Sequence, residues 1–256
     1  MKKLILILTL LVASSVLAQN EMQWHAVYQY KQILSEKDKA RRDSLIKAQP
    51  AMAEVIKKVY KRFDNRTYTM DFNRNESIFM EEKKLESPGK NTMITGIRDR
   101  KLYKNIQEKT YLYKRPSMDE VYIISDSLPK YKWKVSNESK QIGKYLVVKA
   151  EASDPANPKK KITAWFTPEI PVQNGPKKYW GLPGLMMEVS DGKDIYLCTQ
   201  IVVNPKDKVK ITKPEDGKIV DEETYKKEMK NMREKLRKRY KNRRGDKNSK
   251  TIHIRM

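Results

Sequence analysis

Apolar residues recur at every second position through much of this chain, in short runs interrupted by polar, proline or glycine residues. In Thr67-Tyr68-Thr69-Met70-Asp71-Phe72 the alternation sets Tyr68, Met70 and Phe72 on one face, because successive side chains of a strand point to opposite sides. Ser77-Ile78-Phe79-Met80 follows as a hairpin partner. Residues 26–30, 102–106, 110–114, 120–124, 132–135, 145–150 and 161–167 carry the β-branched and aromatic types that suit a pleated surface. Residues 87–91 and 153–158 read as loops. The clearest hairpin comes late: Leu185, Met187 and Val189 alternate with Met186, Glu188 and Ser190. Asp191-Gly192 then turns the chain, glycine supplying the positive φ of a tight turn. Ile195, Leu197, Ile201 and Val203 form the return strand.

The period changes to three and four at Met52, Val55, Ile56, Val59, Tyr60 and Phe63, which predicts an amphipathic helix over 50–63 with Pro50 in its first turn. The highly charged stretch 35–49 is helical or loose. A second helix is predicted over 221–244. Asp221 caps it, Glu222 and Glu223 occupy its first turn, and basic residues crowd its last turns, matching the helix dipole. Tyr225, Met229, Met232, Leu236 and Tyr240 form its stripe, Gly245 ends it, and residues 251–256 close the chain as a short strand. The fold class expected is therefore β-dominated α+β: an antiparallel, curved, half-barrel-like sheet of eight to ten strands with an N-terminal and a C-terminal helix.

The first residues follow another logic. Met1-Lys2-Lys3 is a positive start, an apolar run follows, and Val16-Leu17-Ala18 offers the small residues that signal peptidase accepts. Cleavage is expected after Ala18, leaving one domain over 19–256, exported to the periplasm or outer membrane. The apolar run is too short for a spanning helix, and no later segment is long and apolar enough to be one. Without Lys2 and Lys3 the chain carries 53 basic and 32 acidic residues, a net charge of about +21. That excess suits a solvated face or an anionic envelope surface, with an outer-membrane partner protein as a further candidate; export argues against nucleic acid. Cys198 is the chain's one cysteine, so no internal disulfide forms, and its strand-like setting predicts burial.

Between two predicted strands stands Gly175-Pro176-Lys177-Lys178-Tyr179-Trp180-Gly181-Leu182-Pro183-Gly184-Leu185-Met186. Gly181 and Gly184 permit positive φ or close approach, and Pro183 blocks helix and donates no hydrogen bond. Leu182 and Leu185 are expected to plug into the concave face of the sheet. The segment is a structural corner, or the rim of a ligand groove with Trp165, Tyr179 and Trp180 as aromatic walls beside Leu182 and Pro183. Together with Ala164-Trp165-Phe166-Thr167-Pro168-Glu169-Ile170-Pro171, Trp133-Lys134-Val135 and Ile142-Gly143-Lys144-Tyr145, it resembles the signature of the GLPGLI family. These are exported proteins found mainly in Bacteroidota, most without an assigned activity. The resemblance runs from about Tyr28 to the C terminus and is densest over 130–203; Met186 replaces the motif's last Ile, and Val147 and Val148 stand where many members carry Cys. It implies a cell-envelope protein of β-rich fold.

Catalytic signatures are scarce. His25 and His253 lie near opposite ends of the mature chain and in no metal-ligand spacing, and neither a Gly-x-Ser-x-Gly elbow nor a phosphate-binding loop occurs. The expectation is a non-catalytic binding or accessory module with no cofactor and no metal. Two alternatives stand beside it: a hydrolase using Glu169 and Glu188 as a carboxylate pair, and a metal handler using His25, His253 and methionines. Asp43-Ser44-Leu45 and Asp126-Ser127-Leu128 resemble an O-glycosylation acceptor of exported Bacteroidota proteins.

Overall fold

The computed structural model describes residues 22–64, 66–82, 99–117, 120–207 and 211–250. Among them, twelve strands form one open sheet in the order β12-β6-β5-β4-β3-β2-β1-β11-β10-β9-β8-β7. In chain order they are β1 (Trp24–Gln32), β2 (Arg66–Phe72), β3 (Glu76–Glu81), β4 (Lys101–Asn105), β5 (Thr110–Pro116), β6 (Val121–Ser127), β7 (Lys134–Ile142), β8 (Tyr145–Asp154), β9 (Asn157–Thr167), β10 (Leu185–Ser190), β11 (Asp194–Val203) and β12 (Lys218–Val220). The helices are α1 (Glu36–Ala48), α2 (Ala53–Asp64), entered through a single 3-10 turn at Pro50–Met52, and α3 (Glu222–Lys250). No helix of the described residues is long and apolar enough to cross a membrane. The signal-peptide segment 1–18, the closing strand expected at 251–256 and His253 lie outside the described residues.

The β-dominated curved sheet stands, with more strands than the eight to ten expected. The short β12 was not foreseen, and it pairs parallel to β6, whereas the other pairings are antiparallel. Residues 153–158 were expected as a loop, yet β8 and β9 run into that segment until Asp154 faces Asn157. The Asp154 side chain accepts from the Ala156 N–H at 2.8 Å and closes the turn. Two helices, not one, connect β1 to β2, and the helical backbone of α3 runs through Gly245 to Lys250. Glycine inside a helix costs about 1 kcal/mol but does not oblige it to stop.

Register explains where the core lies. Ala26 faces Met70, Met70 faces Phe79, Phe79 faces Leu102, Leu102 faces Tyr113, and Tyr113 faces Ile124. The next row runs from Trp24 through Phe72, Ser77 and Lys104 to Tyr111. Both rows lie on one face of the sheet, as the period of two requires. Trp24 stacks on Phe72 at 5.4 Å, and Tyr28 meets Phe79 edge-on at 6.2 Å. Cys198 is buried, and its thiol is pushed up to about 12 by burial.

A β-bulge corrects the late hairpin. Met186 pairs with Phe166 and Glu188 with Trp165, leaving Met187 as the extra residue. The alternation therefore breaks. Leu185 and Met187 pack in the main core, whereas Val189 joins Met186 in a second cluster with Ala150, Ile162, Ala164 and Phe166. A bulge adds one residue to one strand and reverses the facing of the residues beyond it.

The connector 168–184 between β9 and β10 folds back over the core. Ile170 and Val172 are buried in the main cluster, and the Leu185 N–H donates to the Ile170 carbonyl at 3.0 Å. Leu182 and Leu185, both expected to plug into the concave face, part company: Leu182 enters the second cluster and Leu185 the main one. Gly181 takes φ +96°, and a Cβ on Gly184 would lie 2.1 Å from the Thr167 carbonyl oxygen. Backbone cannot yield as a flexible side chain can, so Gly184→Ala is expected to cost at least about 3 kcal/mol in a urea titration. Gly143, in open space at φ +59°, serves as the reference, its alanine variant losing only about 1 kcal/mol. Equal losses at both sites would contradict the close packing at Gly184.

Candidate functional site

Three arginines and a lysine lie at positions that the strand period reserves for the core. Arg66 shares its parity with Tyr68, Met70 and Phe72; Arg100 and Lys104 share theirs with Leu102; Arg115 shares its own with Tyr111 and Tyr113. Lys104 is fully buried. Its ammonium donates to the carbonyl oxygens of Gly175 at 2.5 Å and Tyr179 at 3.3 Å, pinning the connector to the sheet. Burial without a carboxylate partner pushes this lysine down to about 7. Trp133 and Trp180 clamp the next turn reciprocally: the Trp133 Nε1–H donates to the Trp180 carbonyl at 2.9 Å, and the Trp180 Nε1–H to the Pro129 carbonyl at 2.7 Å.

The pinned connector leaves a cavity of about 480 Å³ against the same face of the sheet. From β1, β2 and β3 come Tyr30, Arg66, Tyr68, Phe79 and Glu81; from β4, β5 and the residue preceding β4 come Arg100, Leu102, Tyr113 and Arg115. The opposite wall consists of Tyr131, Lys160, the connector residues Lys177, Lys178 and Tyr179, and Asp191, Asp194 and Tyr196 around the β10–β11 turn. Aromatic rings line much of it. Tyr68 stacks on Phe79 at 5.1 Å, Tyr30 tilts against Tyr196 at 5.2 Å, and Tyr131 against Tyr179 at 5.7 Å. Burial raises the Tyr68 phenol to about 12 and those of Tyr30, Tyr131, Tyr179 and Tyr196 further, so all remain hydroxyls near neutral pH.

The carboxylates are already engaged. Asp191 accepts from Lys160 at 2.5 Å and from the Tyr179 hydroxyl at 3.2 Å; Asp194 accepts from Lys177 at 2.9 Å and from the Tyr30 hydroxyl at 2.9 Å. Burial would raise the Asp191 carboxyl, but Lys160 and the N–H groups of Asp194 and Lys193 together hold it below its usual range. Glu81 lies 3.8 Å from Arg66. Lys178 donates to Glu222, the first residue of α3, at 2.7 Å, and to the Tyr111 hydroxyl at 2.7 Å. Burial opposes charge at Glu222, yet the hydrogen bonds from Lys178 and Tyr111 bring its carboxyl down to about 2.

Of the aromatic residues the sequence singled out, Tyr179 lines the cavity. Trp165 and Trp180 pack at the margin of the main core, Trp165 under the Lys140 ammonium at 4.3 Å. Leu182 is buried in the second cluster, beside Tyr179. Gly181, Pro183 and Gly184 form the corner that carries the connector into β10. Glu169 accepts from the Leu146 N–H at 3.1 Å and Glu188 from Lys140 at 2.6 Å, and neither lines the cavity. His25 binds Asp71 at 2.6 Å, and that hydrogen bond raises its pKa. No group of three or more His, Cys, Asp or Glu side chains among the described residues is placed to hold a metal ion. Ser44 lies on α1 and Ser127 at the end of β6, both exposed. Sequence reasoning missed Tyr68, Tyr113, Tyr131, Arg100 and Arg115 as site residues. The available signal was basic residues at core parity among strands in which Tyr, at 14 residues, far outnumbers Phe, at 4.

A family model described as a protein of unknown function, Porph_ging, matches residues 155–188, which span β9, the connector and the start of β10. A solved structure of PNGF-II aligns with a TM-score of 0.50 at 17% identity, covering 80% of this chain and 32% of that chain. The likeness is one of fold, and the chain spans about a third of the PNGF-II chain. No curated protein matches the chain in sequence.

The Lys104 pin has a pH signature. Its folded-state value, about 7, lies below its ordinary value of 10.5, so between those limits the unfolded chain binds the extra proton and stability rises with pH. Urea titrations of the native protein and of Lys104→Met at pH 7.5 to 9 should diverge by up to roughly 1.4 kcal/mol per pH unit, the native slope being the more positive. Parallel profiles would show that Lys104 does not titrate in this window.

Proposed function

We propose that this chain is an exported cell-envelope protein of one domain, its signal peptide removed after Ala18, acting as a non-catalytic binding module in the periplasm or at the outer membrane. The cavity beneath the connector carries this reading. Its volume falls in the range of small-molecule sites, and its walls combine aromatic rings with charged groups that can orient a ligand. Lys160, Lys177, Lys178 and Tyr179, which supply part of one wall, lie within the segment matched by the Porph_ging model. The N-terminal sequence supports export, and the resemblance to the GLPGLI family supports the envelope. The net positive charge favours an anionic envelope surface or an outer-membrane partner.

The test is thermal unfolding of the mature protein with panels of lipids, lipopolysaccharide, peptides, sugars and metals. A ligand of the cavity at a hundredfold excess over its Kd should raise Tm by about 5 °C or more. Tyr113→Ala, which opens one wall, should remove that rise. Failure of every panel member to stabilise the protein, together with turnover of some substrate that is lost in Glu169→Gln/Glu188→Gln, would replace this reading with a hydrolase.

A further inference from the structure

We infer that the cavity takes a ring-bearing organic anion, its carboxylate or phosphate gripped by Arg100 and Arg115; this rests on the cavity's being a ligand site. The charges lining it are unequal: six Lys and Arg side chains face three carboxylates. Each carboxylate is held by a cation of the wall, Asp191 by Lys160, Asp194 by Lys177 and Glu81 by Arg66, and Lys178 is matched from outside by Glu222. Arg100 and Arg115 remain. The Nε–H of each is buried and has no hydrogen-bond partner among the described residues. Those Nε–H groups are closed off from the cavity, so an anion there meets Arg100 and Arg115 through the remaining edge of each guanidinium, and neither is held by a carboxylate of the described residues. Guanidinium groups meet carboxylates and phosphates through paired N–H donors, and an anion satisfies donors that a neutral ligand leaves less well matched.

The remaining surface suits a ring. The Arg115 guanidinium already lies 5.3 Å from the Tyr113 ring centre and 5.0 Å from that of Tyr225, which holds it against the wall. The rings of Tyr68, Tyr113, Tyr131 and Tyr196 also line the cavity, so flat faces and phenol groups adjoin the cationic end. A bare inorganic anion would leave both unused.

Matched probes test this by isothermal titration of the mature protein: glucose 6-phosphate against glucose, phenyl phosphate against phenol, and inorganic phosphate alone. At least one ring anion should bind tenfold or more tightly than its neutral counterpart and than inorganic phosphate. The double variant R100Q/R115Q should lose at least tenfold of that affinity. Should this variant not fold, protection of Arg115 from phenylglyoxal by the bound anion, read by mass spectrometry, replaces it. Neutral and anionic probes of equal affinity, or affinity unchanged in the double variant, would overturn the inference. A neutral ligand whose binding depends on Tyr113 would overturn it while leaving the binding-module reading intact; no Tyr113-dependent ligand of any kind would remove both. Flotation with phosphatidylglycerol vesicles separates the sources of the anion. Flotation that the soluble anion competes away supports a lipid headgroup, and soluble binding without flotation supports a free ring anion.

Discussion

The ammonium of Lys104 lies between the sheet and the connector with two carbonyl oxygens for partners and no carboxylate among the described residues. A desolvated charge is costly, and a lysine in this position must either lose its proton or find every acceptor within reach. The connector supplies the acceptors, and its course over the core is set by that need as much as by the apolar contacts of Ile170 and Val172. Nearby, Asn174 accepts through its own side chain from the Gly175 N–H at 2.9 Å, and its carbonyl accepts from the Met186 N–H at 3.0 Å. These hydrogen bonds beneath the connector help fix its path, although the Asn174 side-chain nitrogen is buried with no partner among the described residues.

The cavity is a consequence of that path. Where the connector is pinned it covers the sheet, and beside Lys177–Tyr179 it leaves the cavity open onto Tyr30, Tyr68 and Tyr113. Its residues then serve two ends. Tyr179 packs its ring into the second cluster while its hydroxyl reaches Asp191, and Lys178 bridges to the first turn of α3. The C-terminal helix is therefore coupled to the cavity wall through Glu222, and Tyr225 packs against Tyr122 at 5.4 Å and lies beside Arg115. The likeness to part of PNGF-II is one of fold; the polar wiring described here belongs to the side chains of this chain.

Most strands were legible because burying one face of an antiparallel sheet imposes a period of two. Strands such as Arg66–Phe72 and Lys101–Asn105 stand close to where the alternation placed them. Asp191-Gly192 was legible for a local reason, the φ of +82° that Gly192 adopts. The failures have equally specific causes. Val189 was assigned to the face of Leu185 because a bulge at Met187 leaves no mark in the alternation itself. Leu182 and Leu185 were both assigned to the concave face because a corner containing Pro183 and two glycines can turn a side chain in any direction. Tyr179 was marked as an aromatic wall from its place in the motif, whereas Arg100 and Arg115 were not singled out although their parity is that of the core.

Taken alone, the sequence determined what depends on neighbouring residues: strand periodicity, the tight turn at Gly192, the charged helical termini and the leader-like start. Only the tertiary structure decided which surfaces meet. The twelve-strand order, the fold-back of the connector onto Lys104 and the gathering of tyrosines from β1, β2, β5 and β11 with Arg100 and Arg115 all join residues far apart in the chain. Such contacts are set by register and packing between distant strands, and no periodicity within one strand encodes them.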